Sequence, residues 1–262
     1  MNFPRRELLR ISRDPLGLEK LIDQAEKVFR TWQPSWSEFV SAPLREEAIK
    51  VMSAFNNLYW YSDGGHPAAE RQRLRCIRIE DQIPEIRENA PIQGIHIEGN
   101  FLFDKASPED FRNALEIIGM PTDGLGDLWI RGNRGAQALC TPEAADGIHG
   151  KRSKVRDIPI TIETKQIKEL HFPIQRQSRK IKTVEASTRL DAIASAGFGL
   201  SRAKVVSKVK EGRVRLNWIP ISQANKGLSV GDRIQLDEKG TLEILSLELT
   251  KRKRWRVELL RH

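Results

Sequence analysis

Residues 189–236 constrain this chain more than any other stretch. Arg189-Leu190-Asp191 opens a short apolar segment that ends at Gly197-Phe198-Gly199. Ser201-Arg202 then opens a second helical segment, followed by Gly212-Arg213-Val214-Arg215-Leu216-Asn217 and, further on, by Gly231-Asp232-Arg233-Ile234. Ser187 or Thr188 is the expected cap of the first helix, and Leu190, Ile193 and Ala194 its buried stripe. On the second helix, capped by Ser201, Val205, Val206 and Val209 share one face. Lys204 and Lys208 lie a turn apart on the other, with Lys210 beside them. Arg202 sits where the amide groups of a helix start favour phosphate. Arg213 and Arg215 alternate outward on the strand that follows, and Lys226 lies in the next loop. No acidic residue stands four positions from Lys204 or Lys208. A surface serving only solubility usually mixes both signs.

The charge of the whole chain is distributed in the same sense. Residues 151–262 hold 26 Lys and Arg against 12 Asp and Glu, whereas residues 1–150 hold 18 against 23. A basic pole joined to a mildly acidic half calls for a polyanionic partner, nucleic acid before an anionic membrane. No basic amphipathic helix with exposed aromatics supports the membrane. Nor does any apolar run reach the roughly 18 residues of a spanning helix, and Met1 to Arg6 lead into no signal-like segment. The expected setting is cytoplasmic. Cys76 and Cys140 have no metal-ligand spacing and are expected to be reduced core thiols. Neither cofactor nor metal is called for.

Along 262 residues, roughly two or a few domains are expected. Asp14-Pro15 caps an amphipathic helix carrying Leu18, Leu21, Ile22, Ala25, Val28, Phe29 and Trp32, which stops before Pro34. A second helix is expected over 44–55 and a strand over 74–79. Trp32, Trp36, Tyr59 and Trp60 are read as core aromatics at helical spacing, and His66 as an exposed turn residue. Residues 92–164 give β-α-β-β-α-β, a ferredoxin-like or RRM-like sandwich. Phe101, Phe103 and Trp129 are the weak candidates there for base stacking. The fold class is thus α+β and multi-domain. Residues 1–91 form a mainly helical region, 92–164 the sandwich, 165–180 a basic connector with Arg176, Arg179 and Lys180, and 181–262 the basic module with a terminal hairpin. Lys251 to Arg254 at the hairpin tip read equally well as a phosphate clamp or as a charge-protected loop.

The motifs at Arg189-Leu190-Asp191, Ser201-Arg202, Gly212-Arg213-Val214, Asn217 and Gly231-Asp232-Arg233-Ile234 closely resemble the S4 (αL) RNA-binding domain. Gly64-Gly65-His66-Pro67 with Ala69-Glu70-Arg71, and Gly126-Asp127-Leu128 with Gly135-Ala136-Gln137, resemble the YlmH-like proteins. Residues 184–202 are similar to their cyanobacterial and plastid branch, the photosystem II S4 domain proteins. The resemblance implies binding of structured RNA, ribosomal or transfer, on the large ribosomal subunit. It also implies a part in translation or ribosome quality control, with an indirect link to photosystem II. It departs at Pro108-Glu109-Asp110-Phe111 and at Gly119-Met120-Pro121, which together lack two positive groups of the relatives and speak against RNA contact by the middle domain. Arg189, Ser201, Arg202, Lys204, Lys208, Lys210, Arg213, Arg215 and Lys226 are the expected RNA-binding residues.

Enzymes also carry such modules. Arg189-Leu190-Asp191 matches the catalytic string of pseudouridine synthases, but those place it in a large domain beyond the module. Gly124-Leu125-Gly126 and residues 132–135 lack the strand-turn-helix context of a methyltransferase. No catalytic residue is expected. The alternative is a protein-binding adaptor that uses residues 1–165. A monomer is expected.

Overall fold

Three antiparallel sheets carry the helices of this α+β chain. The computed structural model describes residues 4–55, 57–79, 87–173, 178–236 and 239–262, which divide into two compact units at 173/174. Arg176 lies outside the described residues. Among them, no helix is long and apolar enough to cross a membrane.

The first unit opens with α1 (Arg5–Ile11) and α2 (Pro15–Thr31). The Asp14 carboxylate accepts the Gly17 N–H at 2.9 Å and fixes the start of α2. Its buried stripe is Leu18, Leu21, Ile22, Ala25 and Val28, each large member contributing about 1.5–3 kcal/mol. Trp32 ends the helix in the left-handed region. β1 (Ser35–Val40), α3 (Ala42–Met52), β2 (Leu58–Asp63) and β3 (Gln72–Arg78) follow, and the strands pair in the order β1-β3-β2. Residues 4–79 are therefore less helical than expected. Trp36, Tyr59 and Trp60 sit on strands, which suit their broad side chains. Trp36 packs edge-on against Tyr61 at 5.5 Å.

The second sheet of this unit contains β4 (Gln93–Glu98), β5 (Leu125–Ile130), β6 (Gly135–Cys140), β7 (Arg152–Val155) and β8 (Ile158–Lys165). Its helices are α4 (Pro108–Ile117) and α5 (Pro142–Ile148). The order β5-β6-β4-β8 is that of a β-α-β-β-α-β sandwich, and β7 adds an edge strand not foreseen. Ser107 and Asp110 cap α4 reciprocally. Every residue of β6 is buried. Cys76 and Cys140 are free and buried; burial pushes the Cys140 thiol up to about 12.

The second unit is a six-stranded sheet, β11-β10-β12-β13-β14-β9. Its strands are β9 (Arg179–Glu185), β10 (Val214–Leu216), β11 (Ile219–Pro220), β12 (Arg233–Leu236), β13 (Gly240–Leu249) and β14 (Trp255–Arg261). It carries α6 (Leu190–Phe198) and α7 (Arg202–Lys210). Leu190, Ile193, Phe198, Val205, Val209, Ile234, Leu242, Val257 and Leu259 share the core. α6 lies close because Gly197 leaves room: a Cβ there would meet Leu242 at 2.4 Å. The end of the expected connector is ordered, since Arg179 and Lys180 begin β9, which pairs with β14 along its length. The cap of α6 is Arg189, without a side-chain hydrogen bond, and neither Ser187 nor Thr188.

Candidate nucleic-acid interface

The surface is built from α7. The Ser201 hydroxyl accepts the Lys204 N–H at 3.2 Å and starts the helix. Val205 and Val209 are buried, which turns Lys204 and Lys210 outward. Val206 is only half-buried. Arg215 projects from β10 between a buried Val214 and a half-buried Leu216. Lys226 is exposed, and its carbonyl accepts the Leu190 N–H at 2.9 Å, tying its loop to α6. Among the described residues, Lys204, Lys210, Arg215 and Lys226 have no ion-pair partner.

The remaining expected residues are partly engaged. Arg189 forks onto Asp191 through Nε at 3.0 Å and Nη2 at 2.9 Å. Asp191 is buried, so it positions Arg189, whose own pKa is raised by that hydrogen bond. Arg202 lies 3.7 Å from Glu185. Lys208 does have an acidic neighbour, three positions on: its Nζ is 3.0 Å from Glu211, and Arg213 Nε is 3.5 Å from the same carboxylate. The hydrogen bond from the Ser207 hydroxyl, then that from Lys208, holds Glu211 below the usual carboxylate range. The spacing to Glu211 is visible in the sequence; the partnership of Arg202 with Glu185 is long-range and is not.

Two motif residues do architectural work. Asn217 and Trp218 both take positive φ and close the β10–β11 hairpin in two residues. The Asn217 amide donates to Asp232 at 2.8 Å, and its oxygen accepts the Arg233 N–H at 2.9 Å. The other Asp232 oxygen accepts the Ser229 N–H at 2.8 Å. A shallow depression of about 370 Å³ is lined by Arg189, Val206, Val209, Lys210, Gln223 and Asn225, the last two not among the residues expected from the sequence.

In the first unit the motif residues turn inward. The Asp127 carboxylate accepts the N–H groups of Glu70 at 2.8 Å and Arg71 at 3.0 Å and lies 3.3 Å from His66 Nε2. Burial pushes its pKa up, but the hydrogen bonds from His66 and from the Arg71 and Glu70 backbone outweigh this and hold it below the ordinary value. His66 is not the exposed residue expected; it stacks on Phe172 at 4.9 Å. Phe101 is buried against Phe111 and Trp129 packs on Phe172, with its Nε1 donating to the His171 carbonyl. Phe103 is exposed but follows β4 in a loop. These three do not form a stacking platform on the central strands. No group of three or more His, Cys, Asp or Glu side chains placed to hold a metal occurs among the described residues.

Residues 16–80 match the family model described as YlmH, N-terminal, and residues 188–234 that of the S4 domain. The chain carries a YlmH-type N-terminal domain and a C-terminal S4 domain. Among curated proteins it is similar to the ribosome-associated protein quality control protein P2 of Bacillus subtilis (strain 168), at 24% identity over 195 residues, 74% of each chain. Among solved structures it aligns with the cell division protein ylmH from Streptococcus pneumoniae at TM-score 0.44 and 18% identity, covering 60% of this chain and 93% of the other. The S4 match takes in α6, α7, β10, β11 and the first half of β12, and so contains all nine expected interface residues. A half-exposed helix face with unpaired cations attracts phosphate through charge. It supplies no fixed donor pair for reading base edges.

Proposed function

We propose that this protein binds structured RNA through the outer face of α7 and the adjoining β10 and Lys226 loop. In this reading it acts on ribosomal or transfer RNA, at the large ribosomal subunit, in translation or ribosome quality control, and it catalyses no reaction. The observation that carries this reading is the set of four exposed cations without acidic partners among the described residues, Lys204, Lys210, Arg215 and Lys226, on an S4 domain. The printed name of the Bacillus relative supports the ribosomal setting. The photosystem II association rests on the resemblance of residues 184–202 alone and is indirect, acting through translation.

The test is binding of purified protein to ribosomal subunits and to a labelled stem-loop RNA as salt is raised. Arg202→Glu with Lys204→Glu should abolish binding and leave the melting curve in place. Arg202→Glu also faces Glu185, so Lys204→Glu with Lys210→Glu, at positions without an acidic partner among the described residues, serves as the second variant. Unchanged affinity in both folded variants would overturn the reading.

A further inference from the structure

The loop from β13 to β14 carries Lys251, Arg252, Lys253 and Arg254, four exposed cations in succession. Its backbone is fixed without using their side chains. The Thr250 N–H donates to the Arg254 carbonyl at 2.7 Å and the Lys253 N–H to the Thr250 carbonyl at 2.9 Å. The Thr250 hydroxyl donates to the Arg254 carbonyl at 2.8 Å and accepts the Arg254 N–H at 3.2 Å. Lys253 closes the turn at φ 54°. Among the described residues none of the four cations is ion-paired.

The flanking strands behave differently. Lys182 lies 2.7 Å from Glu258, and Arg256 lies 3.4 Å from Glu248. These two strand cations are thus neutralised, while the ordered tip leaves four like charges together, an arrangement that a polyanion relieves. The tip is also next to the interface already described. Trp255, the residue after Arg254, pairs with Glu185, and Glu185 lies 3.7 Å from Arg202 at the start of α7. One strand spacing, roughly 5 Å, lies between Trp255 and Glu185.

We propose that residues 251–254 are a second phosphate-binding element for RNA, continuous with the α7 surface and outside residues 188–234 of the S4 match. The proposal rests on the reading that α7 binds RNA. A recess of about 580 Å³ lined by Val184, Thr250, Lys251, Arg252 and Arg254 gives the sugar-phosphate chain a place beside the tip. Lipid is the weaker occupant: Val184 and Leu249 are the exposed aliphatics nearby, and the neighbouring aromatic, Trp255, packs into the core. Membrane-surface binding needs a broad apolar face with the charge.

The experiment compares full-length wild type, the Arg202→Glu/Lys204→Glu variant, and a tip variant with Lys251, Arg252, Lys253 and Arg254 all changed to Ser. Affinity for a fluorescein-labelled stem-loop RNA is measured as KCl is varied, beside binding to phosphatidylglycerol vesicles. The tip variant should lose about 10- to 100-fold in affinity at low salt. Its log–log salt slope should fall by about 3, since each of the four phosphate contacts contributes roughly 0.7–0.9. Exchanging Lys for Arg and Arg for Lys at the four positions should restore both. Arg252→Glu alone reads the same slope should the quadruple variant fail to fold. A tip variant with wild-type slope, while the α7 variant loses binding, overturns the tip and leaves the RNA reading standing. Wild type that does not bind the stem-loop overturns both. Vesicle binding that depends on the tip, with an unchanged RNA slope, assigns the loop to lipid and overturns the proposal.

Discussion

In residues 4–173 Arg71, Arg73 and Arg78 turn inward; in residues 178–262 Lys204, Lys210, Arg215 and Lys226 face outward. Arg71 donates to the carbonyls of Leu125 at 2.8 Å and of Phe39 and Thr122 at 3.2 Å. Arg73 donates to the carbonyls of Ser37 at 2.7 Å and of Pro91. Arg78 donates to the Phe29 carbonyl and lies 3.6 Å over the Trp32 ring. Burial pushes the pKa of Arg71 and Arg73 down, and a buried guanidinium must have fixed acceptors. Lys204, Lys210, Arg215 and Lys226 keep their hydration and have no such requirement. A count of positive residues therefore does not measure a binding surface. The 18 cations of residues 1–150 include several already committed to carbonyls.

The sharpest way to break this comparison is to remove an inward group and look for an effect on binding. Asp127→Ala strips the acceptor from the exposed Glu70 N–H and the part-buried Arg71 N–H, and losing these charge-assisted bonds costs about 2 kcal/mol in total. Urea unfolding followed by tryptophan fluorescence should show this loss, while RNA affinity of the folded protein should not change. The pH dependence has a definite sign. The folded pKa of Asp127 is depressed, so its contribution is complete above the ordinary carboxylate value of about 3.9 and is lost as pH falls through the lower folded value. A changed salt slope in Asp127→Ala would mean that the first unit also grips RNA.

Within the S4 domain the same division can be sharpened residue by residue. Asn217→Ala removes the bonds to Asp232 and to the Arg233 N–H and leaves a positive φ without its usual Asn. The expected cost is about 2 kcal/mol of stability. RNA affinity should be retained at temperatures where the variant is folded. Loss of binding without loss of stability would move Asn217 from the scaffold to the interface.

These contrasts show what the sequence could disclose. Local signals were legible: the Asp14, Ser107 and Ser201 caps, the α2 stripe and the order of elements in 92–164 all rest on neighbours a few residues apart. β3 was foreseen as the strand over 74–79, but β1 and β2 were hidden because Trp32 and Trp36, four apart, imitate a helix face, while the pairing of Trp36 with Arg75 spans 39 positions. The nine expected interface residues were named from charge, spacing and the resemblance of their motifs. Their grading was not, because Glu185, remote in sequence, reaches Arg202 only once β9 has paired with β14. The docking of residues 64–71 onto Asp127 was likewise invisible, so His66 read as a surface residue.

Smaller effects should come from the outward cations one at a time. Lys204→Ala, Lys210→Ala, Arg215→Ala and Lys226→Ala should each weaken RNA binding about 3- to 5-fold and lower the salt slope by about 0.7–0.9. The melting temperature should stay put, because none of these side chains has a partner to lose among the described residues. Lys208→Ala should do less, since Glu211 already offsets its charge. A variant in this set that shifts melting more than binding would belong with the scaffold.

The smallest and most discriminating change is Glu211→Gln. Glu211 stands at the end of α7 among the cations and holds Lys208 at 3.0 Å and Arg213 at 3.5 Å. The glutamine keeps an acceptor for the Ser207 hydroxyl, so the helix end is preserved, and an exposed ion pair contributes little to stability. What changes is the field. Glu211 is held in its ionised form by Ser207 and Lys208, so near neutral pH it cancels part of the attraction that its neighbours exert on phosphate. Removing it should tighten RNA binding about 2- to 3-fold and steepen the salt slope by up to about 1, as Lys208 and Arg213 become free to contact phosphate. The gain should vanish at high salt, where exposed charges are screened. Weaker binding in Glu211→Gln would instead mean that the carboxylate aims Lys208 and Arg213 at the RNA. The paired cations would then be the specific contacts, and the unpaired ones only the source of long-range attraction.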